Sequence, residues 1–251
     1  MTFEPYSFLM IASIMLALVL SGSVKGVFGI GFPVVAMAIL PLFITPISAI
    51  TVIALPIVVT NIQQLFSEKE WRYIIIKYRY MALFMLLASF LSSQILTQIS
   101  VDLITAIIGF ALALFAIYSL FNFTLPITSH SVWQIIAGAS SGLLSGMTGI
   151  QSTAIIYFAS LDISRNEFVG AVGYIFLVGG LGLSIGLINN NLLNSSTVML
   201  SLFGVLFSVV GFKLGSLLRP YIHSELFKKL LFLLMLIIGM KQIYQFFAYS
   251  I

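Results

Sequence analysis

The sequence predicts an all-α polytopic membrane protein, and three observations carry that prediction. The 251 residues are 61% hydrophobic and 7% charged, with a mean hydropathy of +1.17. Soluble domains run near about 25% charged, so this chain lacks the polar surface to solvate a globule. Apolar runs of about 20 or more residues follow one another along the whole length, each long enough to cross a hydrocarbon core of about 30 Å. Finally, Ser21-Gly22-Ser23-Val24-Lys25-Gly26-Val27-Phe28-Gly29-Ile30 recurs about 120 residues later as Ser141-Gly142-Leu143-Leu144-Ser145-Gly146-Met147-Thr148-Gly149-Ile150. Three glycines at matched offsets inside apolar runs predict that the backbone bends, or is closely approached, at both places. No period-two alternation points to a β-barrel.

The apolar segments fall at 7–28, 33–44, 46–66, 72–97 and 102–122, then at 132–148, 151–161, 167–189, 195–218 and 224–248. The first run has no basic stretch before it and no cleavage site after it, so it reads as a retained segment and not a signal peptide. Pro33 disfavours helix at Phe32 and sharpens the first break. The arm after each break is about 11 residues, too short to span. Each half therefore reads as a re-entrant Gly-rich hairpin followed by three transmembrane helices, about eight membrane segments in all. A linker at 123–131, with Pro126 and His130, joins repeat 1 (about 1–122) to repeat 2 (about 132–251) in one membrane transport domain, 1–251.

Loop charges set the relation between the halves. The loop after 46–66 carries Lys69, Arg72, Lys77 and Arg79, whereas its counterpart 189–194 carries no basic residue. The next loop reverses the bias: 97–102 has none, and 219–229 has Arg219, Lys228 and Lys229. Basic residues mark the cytoplasmic side, so the two repeats are expected to be inverted, an architecture of secondary transporters. Thr45-Pro46 then lies outside, the Arg165 loop inside, and both termini on the non-cytoplasmic side of the cell membrane.

Composition excludes several functions. There is no cysteine, hence no disulfide, thiolate chemistry or Cys-ligated metal. Only two histidines occur, His130 and His223, both in loops without ligand spacing, so no metal and no cofactor is expected. The net charge of +4 comes from loops and implies no nucleic-acid partner. Glu4, Glu68, Glu70, Asp102, Asp162, Glu167 and Glu225 all fall at segment ends or loops, so no buried acid is offered for a proton relay. The expected partners are a small anion and the bilayer, and homo-oligomer formation stays open.

The motifs Gly22-Ser23-Val24-Lys25-Gly26-Val27-Phe28-Gly29-Ile30-Gly31-Phe32-Pro33 and Gly142-Leu143-Leu144-Ser145-Gly146-Met147-Thr148-Gly149-Ile150-Gln151-Ser152 resemble those of the sulfite exporter TauE/SafE family, also called the four-toluene-sulfonate uptake permease family. Size, two-half layout and motif spacing fit along nearly the whole chain. The family's first segment is usually a denser glycine run, interrupted here by Val27, Phe28 and Ile30. Its second usually has glycine where this chain has Gln151 and Ser152. The resemblance implies transport of sulfite, a sulfonate or a related organosulfur anion.

The residues point to an anion on their own. Half-helices ending inside a membrane present unpaired N–H groups and a positive dipole end, which hold anions without a full charge. The candidate binding set is Lys25, Gly26, Gly29 and Gly31 at the first tip and Gly146, Thr148, Gly149, Gln151 and Ser152 at the second. Lys25 either serves an anion or snorkels to water. The polar residues of the second tip, Thr153 among them, either touch substrate or satisfy the broken backbone. Asn61, Gln63 and Gln64 read as interfacial amides, Tyr157 and Tyr174 as packing or interfacial aromatics, Gln94 as helix glue, and Lys213 as a snorkelling cation. The alternatives are a permease for another small anion or inorganic ion, and an integral-membrane enzyme or assembly partner. An enzyme would need an acid–base or metal cluster that the sequence lacks.

Overall fold

Glycine, proline and short polar caps punctuate a chain that is otherwise helix. The computed structural model describes residues 8–121, 125–218, 221 and 224–249. The expectations for Glu4, Arg219 and His223 lie outside the described residues, as do the side chains of Glu225 and Lys228. Helix α1 (Phe8–Phe28) ends where Gly29 turns left-handed at φ +80, its N–H bonding Lys25 O at 2.7 Å. Gly31 is left-handed too, at φ +100, and Pro33 opens the short α2 (Phe32–Ile39). Leu40–Leu42 form a 3₁₀ turn, and Thr45 caps α3 (Pro46–Phe66) through Ser48 N. The 72–97 segment is interrupted by Tyr78, at φ −103 and ψ 22, into α4 (Trp71–Lys77) and α5 (Arg79–Ser93), with a 3₁₀ turn at Gln94–Thr97. Helix α6 is Val101–Phe121.

The second half repeats the scheme. Helix α7 (Ser131–Thr148) stops at Gly149, left-handed at φ +72, with its N–H on Ser145 O at 2.7 Å. The short α8 (Ser152–Ala159) follows, then α9 (Arg165–Asn189), capped by Ser164, then α10 (Ser195–Leu218) and α11 (Ser224–Tyr249). Among the described residues no strand occurs, and seven helices are long and apolar enough to cross a membrane: α1, α3, α5 with its 3₁₀ turn, α6, α9, α10 and α11. Helix α7 is not one of the seven. It carries four serines, Gln134 and Thr148 in 18 residues. This is a multi-pass membrane protein.

Backbones meet where small residues allow it. Gly22 and Gly26 of α1 lie against Ser208, Phe212 and Ser216 of α10, and Gly211 and Gly215 of α10 lie against Val19 and Ser23 of α1. In every case a Cβ would overlap the facing helix backbone. Gly138, Gly142 and Gly146 of α7 do the same against Met81, Met85 and Ser89 of α5. Such small-xxx-small seams are how helices associate where lipid offers no hydrophobic drive. Along both seams the paired helices run in the same chain direction. By contrast, α3 and α9 run antiparallel, with Gly180 beside Ile57, Gly173 beside Gln64 and Gly170 beside Glu68. Helices α6 and α11 also run antiparallel, Gly109 facing Gly239 and Phe115 facing Phe232.

Helices α3 and α9 form the centre, 67% of each span being enclosed, whereas only 17% of α11 is. Both breaks pack on this α3–α9 pair.

Candidate anion site at two helix breaks

The first break is built around Lys25, in the last turn of α1. It is 2% exposed, and among the described residues it is the only charged side chain that is buried. Its Nζ donates to Asn61 Oδ1 at 2.7 Å and to Thr60 Oγ1 at 3.1 Å, both on α3. Thr60 Oγ donates in turn to Pro56 O, and Asn61 Nδ2 to Ile57 O, each at 2.7 Å. With those hydrogens engaged, the two oxygens are left to accept from the ammonium. No carboxylate pairs with Lys25 among the described residues. It does not snorkel to water; it is held in the interior by neutral oxygens. Gly29 sits beside Val169 of α9, and Gln64 Nε2 donates to Val169 O at 2.8 Å.

The second break lies further along the same two helices. Gly149 abuts Ile53 and Ile57 of α3. Gln151 is fully buried, its Nε2 donating to Ser145 Oγ at 3.0 Å and, at a long 3.5 Å, to Phe176 O of α9. Gln151 Oε1, Ser152 Oγ and Thr153 Oγ1 are buried without a protein partner. The levels of the two breaks on α3, residues 53–57 against 60–61, are roughly 8 Å apart at 1.5 Å per helical residue. Neither α2 nor α8 has a side-chain cap at its start, so each presents N–H groups without a capping side chain at the break.

Several expected residues are committed elsewhere. The position where a Cβ would stand on Gly26 is filled by α10 and that on Gly146 by α5, so these two glycines serve the helix seams and do not line a pocket. Thr148 Oγ1 donates to Leu144 O at 2.6 Å and accepts from Ile150 N at 3.0 Å, which commits the hydroxyl to the broken backbone. Asn61 and Gln64 are buried, at 1% and 7% exposure, and not interfacial as expected. Thr60 is a partner of Lys25 that the sequence motifs do not mark. Its sequence signal is a Thr-Asn pair four residues beyond the intrahelical Pro56, in a span otherwise apolar. Gln94 does join helices, accepting from Asn189 Nδ2 at 2.7 Å.

At the loop end of α3 a cavity of about 350 Å³ opens between Ser67, Glu68, Glu70, Ile74, Asn166 and Glu167. Glu167 closes its wall by accepting from Lys77 Nζ at 2.5 Å and Tyr78 Oη at 2.7 Å. Burial opposes the Lys77 charge, but the hydrogen bonds and charge of Glu167 and Tyr73 together outweigh it and hold the ammonium above its ordinary range. Burial and the same carboxylate raise the Tyr78 phenol, keeping it protonated. Together these contacts tie the α4–α5 break to the start of α9.

With this geometry in place, comparison with known families is decisive. The sulfite exporter TauE/SafE description matches residues 14–242, nearly the whole chain and both breaks. The chain belongs to the sulfite exporter TauE/SafE family. That is a family of membrane transporters of sulfur anions and not of enzymes. No curated protein matches the chain, and no solved structure does. In this TauE/SafE member the breaks between α1 and α2 and between α7 and α8 meet the central α3–α9 pair, Lys25 on α3 and Gln151 on α9.

Proposed function

We propose that this TauE/SafE member is a secondary transporter that moves a small sulfur oxyanion, sulfite or a sulfonate, across the cell membrane. The anion binds between the two helix breaks. Lys25 carries the reading: a buried ammonium with only neutral oxygens around it. An isolated charge in a low-dielectric interior is costly, and an anion that arrives beside it relieves that cost. Gly29, Gly31 and Gly149, all left-handed, let backbone approach the ligand, and the buried Gln151 and Ser152 complete the polar surround.

The two halves, in this reading, are inverted repeats around the site, with both termini outside the cytoplasm. The antiparallel runs of α3 with α9 and of α6 with α11 support it. So does the exchange of partners, α1 on α10 of the other half and α7 on α5. The opposite loop charges support it as well. Alternating access would then be a rocking of one half against the other.

The test separates binding from folding. Lys25→Met keeps the length and removes the buried charge with its desolvation cost, which offsets the loss of the donor to Asn61 Oδ1. Saturable flux of labelled sulfite or sulfonate in proteoliposomes is expected to vanish in Lys25→Met while a single cooperative thermal transition in detergent shows that the variant is folded. Flux undiminished in a well-folded Lys25→Met removes Lys25 from the mechanism and, with it, the proposed site.

A further inference from the structure

Two buried amides qualify what the anion must be. Gln64, at the first break, and Gln151, at the second, each point Nε2 toward a backbone carbonyl of α9, Val169 O and Phe176 O. A carbonyl oxygen can only accept, so Val169 O at 2.8 Å fixes the Gln64 amide with its nitrogen on α9, and Gln151 is turned the same way, its nitrogen toward Phe176 O at a long 3.5 Å. Both Oε1 atoms are buried and have no donor in the protein. An amide oxygen is an acceptor and nothing else, and leaving it unsatisfied in the interior carries its full desolvation cost. Against these two acceptors the region sets one cation, Lys25, and no other buried charge among the described residues.

Resting on the transport reading above, we infer that the transported species is a monoanion that brings its own hydrogen-bond donor. Hydrogensulfite fits and the sulfite dianion does not; a hydroxyl-bearing sulfonate fits better than a plain alkyl one. One ammonium neutralises one negative charge, and a dianion would leave a net charge of −1 in a low-dielectric interior. A sulfonate or sulfate ion that offers only acceptor oxygens can take bonds from Lys25 and from the Ser152 and Thr153 hydroxyls, which are also unpartnered. It cannot satisfy Gln64 or Gln151, and it sets oxygen against oxygen there. A ligand O–H ends that conflict at whichever amide it reaches. Discrimination of this kind is strong because the penalty for the wrong ligand is an unpaired buried group.

The experiment is competition against labelled sulfite uptake in proteoliposomes of the full chain at one fixed pH. The competitors are 2-hydroxyethanesulfonate, ethanesulfonate and sulfate. The hydroxylated sulfonate is expected to compete about tenfold or more better than ethanesulfonate, the worth of one buried hydrogen bond, and sulfate is expected not to compete. In Gln151→Met the preference between the two sulfonates should shrink toward unity, with Gln64→Met as the independent second variant and thermal midpoints confirming that each is folded. Equal competition by the two sulfonates in the parent protein, effective competition by sulfate, or a preference that persists in both variants overturns the inference. A parent protein with no saturable sulfite flux overturns the transport reading as well. Saturable flux without donor preference overturns this inference alone.

Discussion

Lys25 and Asn61 show how much one hydrogen bond decides when charge is buried. Asn61 Oδ1 is the nearer of the two oxygens that receive the ammonium, at 2.7 Å against 3.1 Å for Thr60. Asn61→Leu leaves the cation with one neutral acceptor, and hydrogen bonds to charged groups contribute about 1.5–3 kcal/mol. The expected result is a thermal midpoint several degrees lower, restored when Lys25→Met is added, because the demand for an acceptor goes with the charge. A double-mutant cycle read by thermal unfolding measures the coupling, and additive losses would contradict it. The glycines at the breaks differ from one another in a similar, local way. Gly29 and Gly149 are both left-handed, so any L side chain is strained there by roughly 1–2 kcal/mol. A Cβ on Gly29 meets Val169 at an ordinary 3.7 Å, whereas one on Gly149 comes within 2.8 Å of Ile53 Cδ1. Gly149→Ala should therefore destabilise more than Gly29→Ala in the same unfolding assay, and both should depress flux.

At the scale of a helix, α3 is the element on which the proposed site depends. Pro56 lacks an N–H, so Val52 O loses its partner four residues on. Ser201 of α10 fills the gap: its Oγ donates to Val52 O at 3.0 Å and accepts from Leu55 N at 3.2 Å. This clasp lies at the level of the Gly149 contact at Ile53 and Ile57, and the Lys25 contact at Thr60 and Asn61 is further along the helix. Ser201→Ala leaves a buried carbonyl unpaired and should cost about 1–3 kcal/mol. In a Pro56→Ala background the new N–H bonds Val52 O, and the same serine change should then be close to neutral. Equal losses in both backgrounds would mean that Ser201 stabilises α3 for some other reason. The seams explain a second fact about elements. A glycine every fourth residue on α7 and α1 was legible as a break signal, yet most of these glycines admit a neighbouring helix, and only Gly29, Gly31 and Gly149 turn the chain.

For the whole molecule, the proposed orientation makes a direct prediction. The chain has no cysteine, so single cysteines introduced at loop positions report topology without background. Lys69→Cys and Arg165→Cys should react with an impermeant maleimide only after permeabilisation of right-side-out vesicles, and Asn191→Cys should react before it. Reaction of Lys69→Cys and Asn191→Cys from the same side would rule out the inverted arrangement, since the loops they report are equivalent ones in the two halves. Exposure follows the same geometry: α11 is mostly outside the core, with Leu233, Ile237 and Tyr244 turned outward, as lipid in place of water permits.

The sequence alone determined the class of protein, the positions of its helices and the two breaks, because each rests on local chemistry. Apolar length sets a crossing, glycine admits a positive φ and proline starts a helix, and none of these needs to know its neighbours. The resemblance of the breaks to the TauE/SafE family was legible for the same reason. What only the tertiary structure decided is which polar atoms meet. Asn61 and Gln64 look interfacial when placed by distance from a basic loop, but α3 lies at the centre of the molecule and turns them inward. Gly26 and Gly146 look like pocket residues by their motif, but the helices packed on them, α10 and α5, come from the opposite half of the chain. The partners of Lys25 are 35 and 36 residues away, and that pairing is a property of how α1 and α3 cross, which no local pattern encodes.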